Sequence, residues 1–569
     1  MTTAPFVLLD DGRPGGGALL HADPAEVIET RDPREVRACL DRLRGRAAAG
    51  FIAYEAGYSL EPRLAPLAVA PGPDEPPLLW FGLFSDARAI DPPAFLPDPA
   101  GAWAGRPAPL VAGADYRERA ERVLEHIAAG DVYQANLTFQ AEVRTAGDPL
   151  ALYAALRSRA RAGHGALVFT GAHWILSLSP ELFFTLEGSR VTTRPMKGTA
   201  PPDADPTALR DDPKQRAENL MIVDLLRNDL SRVARPGTVA VPELFRIETY
   251  PTLLQMTSTV TAELDVGLGP VDLIEAIFPC GSITGAPKIR AMEIISGLES
   301  RPRGVYCGAI GRVAPDGEAA FNVAIRTLTL KAGENVARLG LGSGIVADSR
   351  AGEEWRECLA KGAFVQDPRR FDLFETMAFD PHGGIAELDR HLARLKRSAD
   401  ALDFPFDRHV ARNELQAATF RAGASVIRLM LSRSGALAIE LRPLPSPPPR
   451  PVQAAILPLP VAAGDFRLAH KTTDRAFYDE ARESSGAFEV LFRNESGFLT
   501  EGSFTTLFVE REGRLLTPPL SLGLLPGVLR ERLIEEGAAE EAELTEADLE
   551  AGFLIGNSVR GLIPARLRR

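Results

Sequence analysis

The chain is too long to fold around a single hydrophobic core, and its sequence changes character at one natural break. For 569 residues we expect about three or four structural units, because a single core stops growing at roughly 250–300 residues. The break lies at Asp367-Pro368. A proline-rich stretch over 444–451 forms a stiff hinge further along the chain.

We therefore predict a first domain over 1–367, with its core at about 115–365, and a second domain over 371–569. The hinge divides the second domain into lobes 371–443 and 452–569. Strand and helix patterns alternate irregularly in both domains, and we expect an α+β fold class.

The composition excludes several classes of protein. The net charge is -12, and no basic stripe is interleaved with aromatic residues, so we expect no nucleic-acid partner. No apolar run approaches the roughly 18 residues that a membrane-spanning helix needs. The four cysteines are far apart and form no CxxC pair, which indicates neither a disulfide framework nor a zinc site. We expect a protein of the reducing cytoplasm.

Lysine is scarce in this chain, and two lysines lie in segments that suggest active-site loops. Only seven of the 64 basic residues are lysines. An amine can lose its proton and attack carbon or bind a cofactor covalently, and a guanidinium group cannot. Lys197 lies in the segment 194–199 and Lys471 in the segment 470–475. We predict two lysine-dependent reactions.

Five segments between 190 and 365 have unusual chemistry for their length. They are a helix with acids among apolar residues at 218–229, a polar loop at 281–288 that runs into a helix near Pro287, an apolar strand at 321–327 that contains Arg326, a glycine run at 340–344, and a helix with Glu354, Glu357 and Lys361. The last three residues are spaced i, i+3, i+7 and so share one helical face. The glycines let the backbone approach a ligand closely.

Together these segments resemble the chorismate-utilising family, which includes anthranilate, isochorismate and aminodeoxychorismate synthases. The resemblance covers about residues 10–365 and implies a large β-sheet sandwich flanked by helices. It also implies Mg²⁺ held through Glu218 and Glu357 with Glu354 nearby, and this ion suits carboxylate and substrate oxygens. The residues that it places around chorismate are Ser282, Thr284, Tyr306, Arg326, Gly342, Gly344 and Lys361.

Lys197 distinguishes between members of this family. Anthranilate, isochorismate and salicylate synthases typically have alanine at this position, whereas a lysine resembles the aminodeoxychorismate synthases. In those enzymes the amine is thought to attack ring C2 and expel the 4-hydroxyl, after which ammonia adds at C4. Such an amine must be partly neutral, through burial or a cation such as Arg194. Gln255 stands where anthranilate synthases have a catalytic histidine, which fits a domain that does not eliminate pyruvate.

The second domain carries a different set of motifs. Lys471 lies at the end of a predicted strand, Glu501 precedes another strand at 505–510, and the segment 523–530 opens a helix whose free amides can bind phosphate. Their order resembles the fold-type IV pyridoxal-phosphate enzymes over nearly all of 371–569. That group includes branched-chain and D-amino-acid aminotransferases and aminodeoxychorismate lyase.

This second resemblance implies a cofactor and its ligands. Lys471 would carry pyridoxal 5′-phosphate and move the substrate proton, and Glu501 would keep the pyridine nitrogen protonated. The phosphate ligands that it implies are Arg394, Ser558 and the backbone amides of Val528 and Leu529. Arg560 is expected to contact the substrate.

Both resemblances lead to 4-aminobenzoate for folate synthesis. The first domain would convert chorismate and ammonia into 4-amino-4-deoxychorismate, and the second would eliminate pyruvate from it. Two alternatives stay open: an anthranilate synthase-like first domain, or an aminotransferase as the second. Thr506 and Leu529 depart from the usual aminotransferase residues, which makes the latter less expected. Without a Gly-x-Cys-x-Gly turn, ammonia must come from solution or from a separate glutamine amidotransferase subunit. We also expect a homodimer formed through the second domain.

Overall fold

The computed structural model of the protein describes residues 4–201, 203–250 and 253–568. Within these residues, no helix is both long and apolar enough to cross a membrane.

The chain forms two compact units. The second unit consists of the chain from Asp367 onward together with the short segments Pro97–Gly105 and Arg144–Leu152, and the first unit is the remainder. Both short segments fall within the range predicted for the first domain. They belong to the second unit because Trp103 is buried in the same hydrophobic cluster as Phe371.

The first unit is built on two large sheets. In spatial order, the strands of one sheet are Gly285–Ala286, Gln134–Ala146, Val336–Val346, Thr327–Lys331, His173–Ser179, His164–Phe169, Phe6–Asp10, Ala18–Ala22 and Arg88–Ile90, and Ala108–Pro109 also pairs with Gln134–Ala146. The strands of the other sheet are Met196–Ala200, Leu253–Glu263, Arg190–Arg194, Leu182–Glu187, Ala319–Val323, Ala309–Val313, Ala48–Ile52, Leu79–Leu83 and Glu26–Thr30, and Ala240–Tyr250 also pairs with Leu253–Glu263.

The two sheets pack face to face. Val7, Val168 and Ile175 of one sheet and Phe51 and Trp80 of the other belong to a single buried cluster. Because side chains alternate along a strand, each inner face supplies every second residue to this core. The expected sheet sandwich is therefore confirmed.

Helices pack beside the sheets in both units. The α-helices of the described residues are, in chain order, Val36–Asp41, Ala56–Leu60, Pro92–Phe95, Gly113–Ala128, Pro149–Ala160, Pro206–Asp211, Pro213–Ser231, Pro270–Ile277, Lys288–Leu298, Ala351–Gly362, Leu388–Ala401, Arg408–Thr419, Phe466–Ala469, Ala476–Ser485 and Val528–Glu535. Helix Lys288–Leu298 begins directly after Pro287, as the sequence predicts.

The second unit contains a small and a larger sheet. The strands of the small sheet are Gly384–Ile385, Leu373–Asp380, Ser425–Leu431 and Leu437–Pro443. Those of the larger sheet are Leu499–Gly502, Glu489–Arg493, Val452–Pro458, Gly561–Leu567, Phe553–Asn557, Thr506–Arg511, Arg514–Thr517 and Ala539–Glu541. The small sheet ends at Pro443, the larger begins at Val452, and 444–451 forms no regular element. With helices beside each sheet, the α+β fold class is confirmed.

Replacing Asp212 by alanine should lower the free energy of unfolding of the first unit by about 1 kcal/mol. Asp212 Oδ1 accepts hydrogen bonds from the backbone amides of Lys214 at 2.8 Å and Gln215 at 3.0 Å, and so caps helix Pro213–Ser231. Urea unfolding measures the change. Asp211→Ala removes a neighbouring exposed carboxylate without uncapping this helix and is the control; equal losses in both variants would contradict the capping role.

Two candidate active sites

The first unit contains a cavity of about 290 Å³ that gathers most of the residues predicted for chorismate and metal binding. The predicted residues that line it are Lys197, Glu218, Ser282, Tyr306, Arg326, Gly342, Gly344, Glu354, Glu357 and Lys361. They are up to 164 positions apart in the chain, since the two sheets and the helices Pro213–Ser231 and Ala351–Gly362 bring them together.

Three glycines of strand Val336–Val346 form one wall of the cavity. Gly340, Gly342 and Gly344 are two residues apart and therefore face the same side of the strand. A Cβ atom on Gly340 would lie 2.0 Å from Cδ1 of Tyr306, and one on Gly344 would lie 2.8 Å from Nζ of Lys197. Only a strand without side chains at these positions lets both residues come this close.

Lys197 lies on the edge strand Met196–Ala200 with its amine inside the cavity. Its Nζ is 3.9 Å from Oε2 of Glu218, and the Asn219 side chain donates a hydrogen bond to its carbonyl oxygen at 3.4 Å. Burial lowers the pKa of the Lys197 amine, and the Glu218 carboxylate opposes part of that change. The amine therefore loses its proton more readily than that of a surface lysine.

The three predicted metal ligands line the same cavity but do not converge. Glu357 forms an ion pair with Lys361 at 2.8 Å, and Glu354 accepts a hydrogen bond from the Ser349 hydroxyl at 2.7 Å. Among the residues that the structure describes, no three acidic, histidine or cysteine side chains stand close enough to hold a metal ion.

The chemistry of these carboxylates nevertheless fits Mg²⁺. Burial raises the pKa of Glu218, the positive charges of Lys197 and Lys214 oppose that change, and the negative charges of Asp348 and Glu354 add to it. A divalent cation would relieve this repulsion, and Mg²⁺ commonly binds through one or two carboxylates plus substrate oxygens.

Arg326 and Thr284 are placed differently from the sequence-based expectation. The strand predicted over 321–327 ends at Val323, so Arg326 lies in the following turn with a φ of 50°. Thr284 does not line the cavity: its hydroxyl donates to the carbonyl oxygens of Cys280 at 3.1 Å and Gly281 at 3.2 Å.

Sequence analysis missed two buried polar residues beside Lys197. Glu181 lines the cavity, burial raises its pKa to about 7, and its Oε1 has no hydrogen-bond partner among the described residues. Gln134 is fully buried and neither atom of its amide has a partner in the described part of the chain. A Cβ on Gly344 would lie 3.1 Å from Nε2 of Gln134. Gln134 lies in a polar run of the sequence at 133–138, and no motif marks Glu181.

The second unit contains a larger cavity of about 660 Å³. All of the residues predicted to bind the cofactor or the second substrate line it: Arg394, Lys471, Glu501, Val528, Leu529, Ser558 and Arg560. Val528 and Leu529 open helix Val528–Glu535, so their amides have no acceptor within the helix.

Lys471 follows the short helix Phe466–Ala469, and the strand that begins at Leu373 holds its backbone. The Phe374 amide donates to the Lys471 carbonyl oxygen, and the Lys471 Nζ lies 5.1 Å from the centre of the Phe374 ring. Burial lowers the pKa of Lys471 to about 7, with a further contribution from the positive charge of Arg394. A lysine in this state is half neutral at neutral pH and can form a covalent bond to a carbonyl group.

Glu501 lies at the end of strand Leu499–Gly502 and is oriented by two donors. The Tyr478 hydroxyl donates to its Oε1, and the Leu525 amide donates to its Oε2 at 3.1 Å. Burial raises the pKa of Glu501, and the charge of Arg475 and these hydrogen bonds lower it in part. A fixed, buried carboxylate of this kind suits the ring nitrogen of a pyridine cofactor. Sequence analysis did not find Tyr478.

Arginines that sequence analysis did not single out also line this cavity. They are Arg428, Arg442, Arg475 and Arg482. Arg442 and Arg482 pair with Glu440 and Asp479. The Arg428 guanidinium instead lies over the Phe374 ring, 4.5 Å from its centre, and its buried Nε has no hydrogen-bond partner among the described residues. The cavity is therefore suited to anionic ligands.

Comparison with protein-family models assigns both units. Residues 17–367 match the model described as chorismate binding enzyme, and residues 372–567 match the model described as amino-transferase class IV. Both resemblances inferred from the sequence are confirmed.

Individual relatives match the first unit. The 2-amino-4-deoxychorismate synthase of Streptomyces globisporus is 42% identical over 287 residues, which is 49% of this chain and 57% of that protein. Aminodeoxychorismate synthase component 1 of Klebsiella aerogenes is 44% identical over 254 residues, 43% of this chain and 56% of that protein. The chain thus spans little more than half the length of either relative. The crystal structure of anthranilate synthase component I from Streptococcus pneumoniae is 26% identical, covers 62% of this chain and 92% of its own, and has a TM-score of 0.54.

We expect the rate of reductive methylation of Lys471 to be half-maximal near pH 7. Its pKa is lowered to about 7, and the neutral amine is the reactive form, so the rate should rise about tenfold from pH 6 to pH 8 and then level off. Lys331 is an internal control: its hydrogen bond to Asp74 raises its pKa, so its labelling should still increase at pH 9. Peptide mass spectrometry measures both, and parallel profiles for the two lysines would contradict the expectation.

Proposed function

The chain belongs to the chorismate binding enzyme family, and from that premise we propose that it makes 4-aminobenzoate in two steps. The first unit would convert chorismate and ammonia into 4-amino-4-deoxychorismate, and the second would eliminate pyruvate to give 4-aminobenzoate for folate synthesis. The observation that supports the proposal best is the pair of half-buried lysines, each in its own cavity and each with a lowered pKa.

In the first cavity Lys197 would act as the nucleophile. Its neutral amine would form a bond to ring C2 of chorismate while both ring double bonds shift and the 4-hydroxyl leaves. A carboxyl group with a pKa of about 7, such as Glu181, is partly protonated at neutral pH and can give its proton to that hydroxyl, which departs as water. Ammonia would then bond to C4 and return one proton to that carboxylate, and the lysine nitrogen would leave C2 with the reverse shift of both double bonds.

The carboxylates of chorismate would be bound by cations and backbone amides of the same cavity. Lys361, Arg326, Gly342 and Gly344 line it, and cationic and amide donors suit carboxylates. Glu218 and Glu357, with Glu354 nearby, would hold Mg²⁺. When bound, that ion supplies positive charge against a substrate carboxylate.

In the second cavity Lys471 would bind pyridoxal phosphate covalently and then move the substrate proton. The cofactor, when bound, supplies an electron-withdrawing ring that stabilises negative charge on the substrate carbon. Glu501 would keep the ring nitrogen protonated. The phosphate would be bound by Arg394, Ser558 and the amides of Val528 and Leu529.

Two features favour this function over its alternatives. In the first unit Gln255 is buried, and its Nε2 donates to the Gly198 carbonyl oxygen at 2.9 Å. Because this residue is a glutamine, it has no imidazole to move the proton that anthranilate formation requires. In the second unit Arg428 and Arg560 provide cations for a substrate with two carboxylates. Turnover of an amino donor would instead support an aminotransferase.

The proposal extends to partners and location. Ammonia would come from solution or from a separate glutamine amidotransferase subunit, in keeping with the name component 1 of the Klebsiella relative. We also propose a homodimer formed through the second unit and a cytoplasmic location. The four free and buried cysteines would stay reduced there.

Lys197→Ala should greatly reduce the formation of 4-amino-4-deoxychorismate and leave chorismate binding mostly intact. Lys197→Arg should be no better than alanine, because guanidinium stays protonated and cannot attack carbon. Chromatography of the products with calorimetry of chorismate binding separates the two effects. Near wild-type synthesis by the arginine variant would show that Lys197 is not the nucleophile.

Lys471→Ala should accumulate 4-amino-4-deoxychorismate and release no 4-aminobenzoate. Synthesis from chorismate should continue, since Lys197 lies in the other unit. Mixing this variant with Lys197→Ala should restore 4-aminobenzoate, because each protein retains the step that the other has lost. Mass spectrometry follows both compounds, and 4-aminobenzoate from Lys471→Ala alone would contradict the proposed lyase.

A further inference from the structure

One buried carboxylate connects the predicted phosphate ligands of the second unit. Glu375 is 1% exposed and lies on strand Leu373–Asp380. Its Oε1 accepts from Nε of Arg394 at 2.8 Å, and its Oε2 accepts from Nη2 of Arg394 at 2.6 Å and from Nδ1 of His391 at 2.7 Å. The resemblance to pyridoxal-phosphate enzymes assigned no role to Glu375 or His391.

This network fixes the Arg394 guanidinium almost completely. Two of its five N–H groups bind Glu375, and Nη1 donates to the Pro526 carbonyl oxygen at 3.0 Å. Pro526 directly precedes Gly527, the N-cap of helix Val528–Glu535. The remaining N–H groups are therefore held beside the helix terminus whose amides are free.

The same carboxylate reaches Ser558 through His391. A carboxylate accepts only, so Nδ1 of His391 carries the proton of that hydrogen bond, and Nε2 of the neutral ring accepts a hydrogen bond from the Ser558 hydroxyl at 2.9 Å. Both His391 and Glu375 are 1% exposed. Ser558 thus has one preferred orientation, which a serine in a solvated turn lacks.

We propose that Glu375 and His391 are positioning residues: Glu375 holds Arg394 ready for the phosphate of pyridoxal phosphate, and His391 keeps Glu375 and Ser558 in place beside it. This inference rests on the proposed function, because it names the residues that organise that cofactor site. Glu375 also immediately follows Phe374, whose ring faces the Lys471 amine. Strand Leu373–Asp380 therefore lies beside both the Lys471 amine and the phosphate ligands. Only the phosphate ligands contact the network of Glu375 and His391.

The test compares pyridoxal phosphate with pyridoxal, which lacks the phosphate and still reacts with Lys471. Glu375→Gln keeps the size of the side chain and removes its charge. It should weaken pyridoxal phosphate binding about tenfold or more, since the partners of a buried charge lose their fixed geometry, and change pyridoxal binding by less than about twofold. His391→Phe should give the same selective loss to a smaller degree. This variant replaces Glu375→Gln in the test if Glu375→Gln does not fold. Spectroscopic titration of each apoprotein measures both affinities.

Asp548→Asn is the matched control. Asp548 accepts hydrogen bonds from Thr545 and Arg511 in the same unit and does not line the cavity, so neither affinity should change. Equal losses for the two ligands in Glu375→Gln, or no loss for either, would overturn the positioning role. If the wild-type protein did not bind pyridoxal phosphate at all, the proposed function itself would fail.

Discussion

An ammonium group must lose its proton before it can attack carbon. Both cavities depend on the removal of a lysine amine from water. Burial is the largest influence on the pKa of Lys197 and of Lys471, and it lowers both. The walls that exclude water are consequently part of the chemistry. In the first unit a bare strand backbone at Gly344 lies against the amine, and in the second the Phe374 ring faces it.

The two amines differ in the charges that surround them. Lys197 lies beside the Glu218 carboxylate, which opposes the effect of burial, whereas the Arg394 guanidinium adds to the effect of burial at Lys471. An acidic cavity can take a metal ion together with a dicarboxylate, and a cavity lined by arginines suits a phosphate-bearing cofactor and an anionic substrate. Glu375 binds Arg394, one of this second set of cations, and positions it.

Local patterns predicted the residues that lie on regular elements, such as Glu357 and Lys361, because helical spacing alone puts them on one face. They could not predict partners that only the packing of distant strands brings together. Neither Glu181 nor Gln134 belongs to a periodic pattern or a motif, so the sequence alone does not mark them as parts of a site. Arg326 shows a second limit. The apolar run at 321–327 predicted a strand through Arg326, but the strand ends before this residue, which has a positive φ.

In the proposed function, one polypeptide carries out two successive lysine-dependent steps on a single carbon skeleton. The decisive experiment is incubation of the purified protein with chorismate, ¹⁵N-ammonium, Mg²⁺ and pyridoxal phosphate, followed by mass spectrometry. We expect ¹⁵N-labelled 4-aminobenzoate and one pyruvate released for each molecule formed. Labelled anthranilate, or 4-amino-4-deoxychorismate that persists without release of pyruvate, would contradict the proposed function.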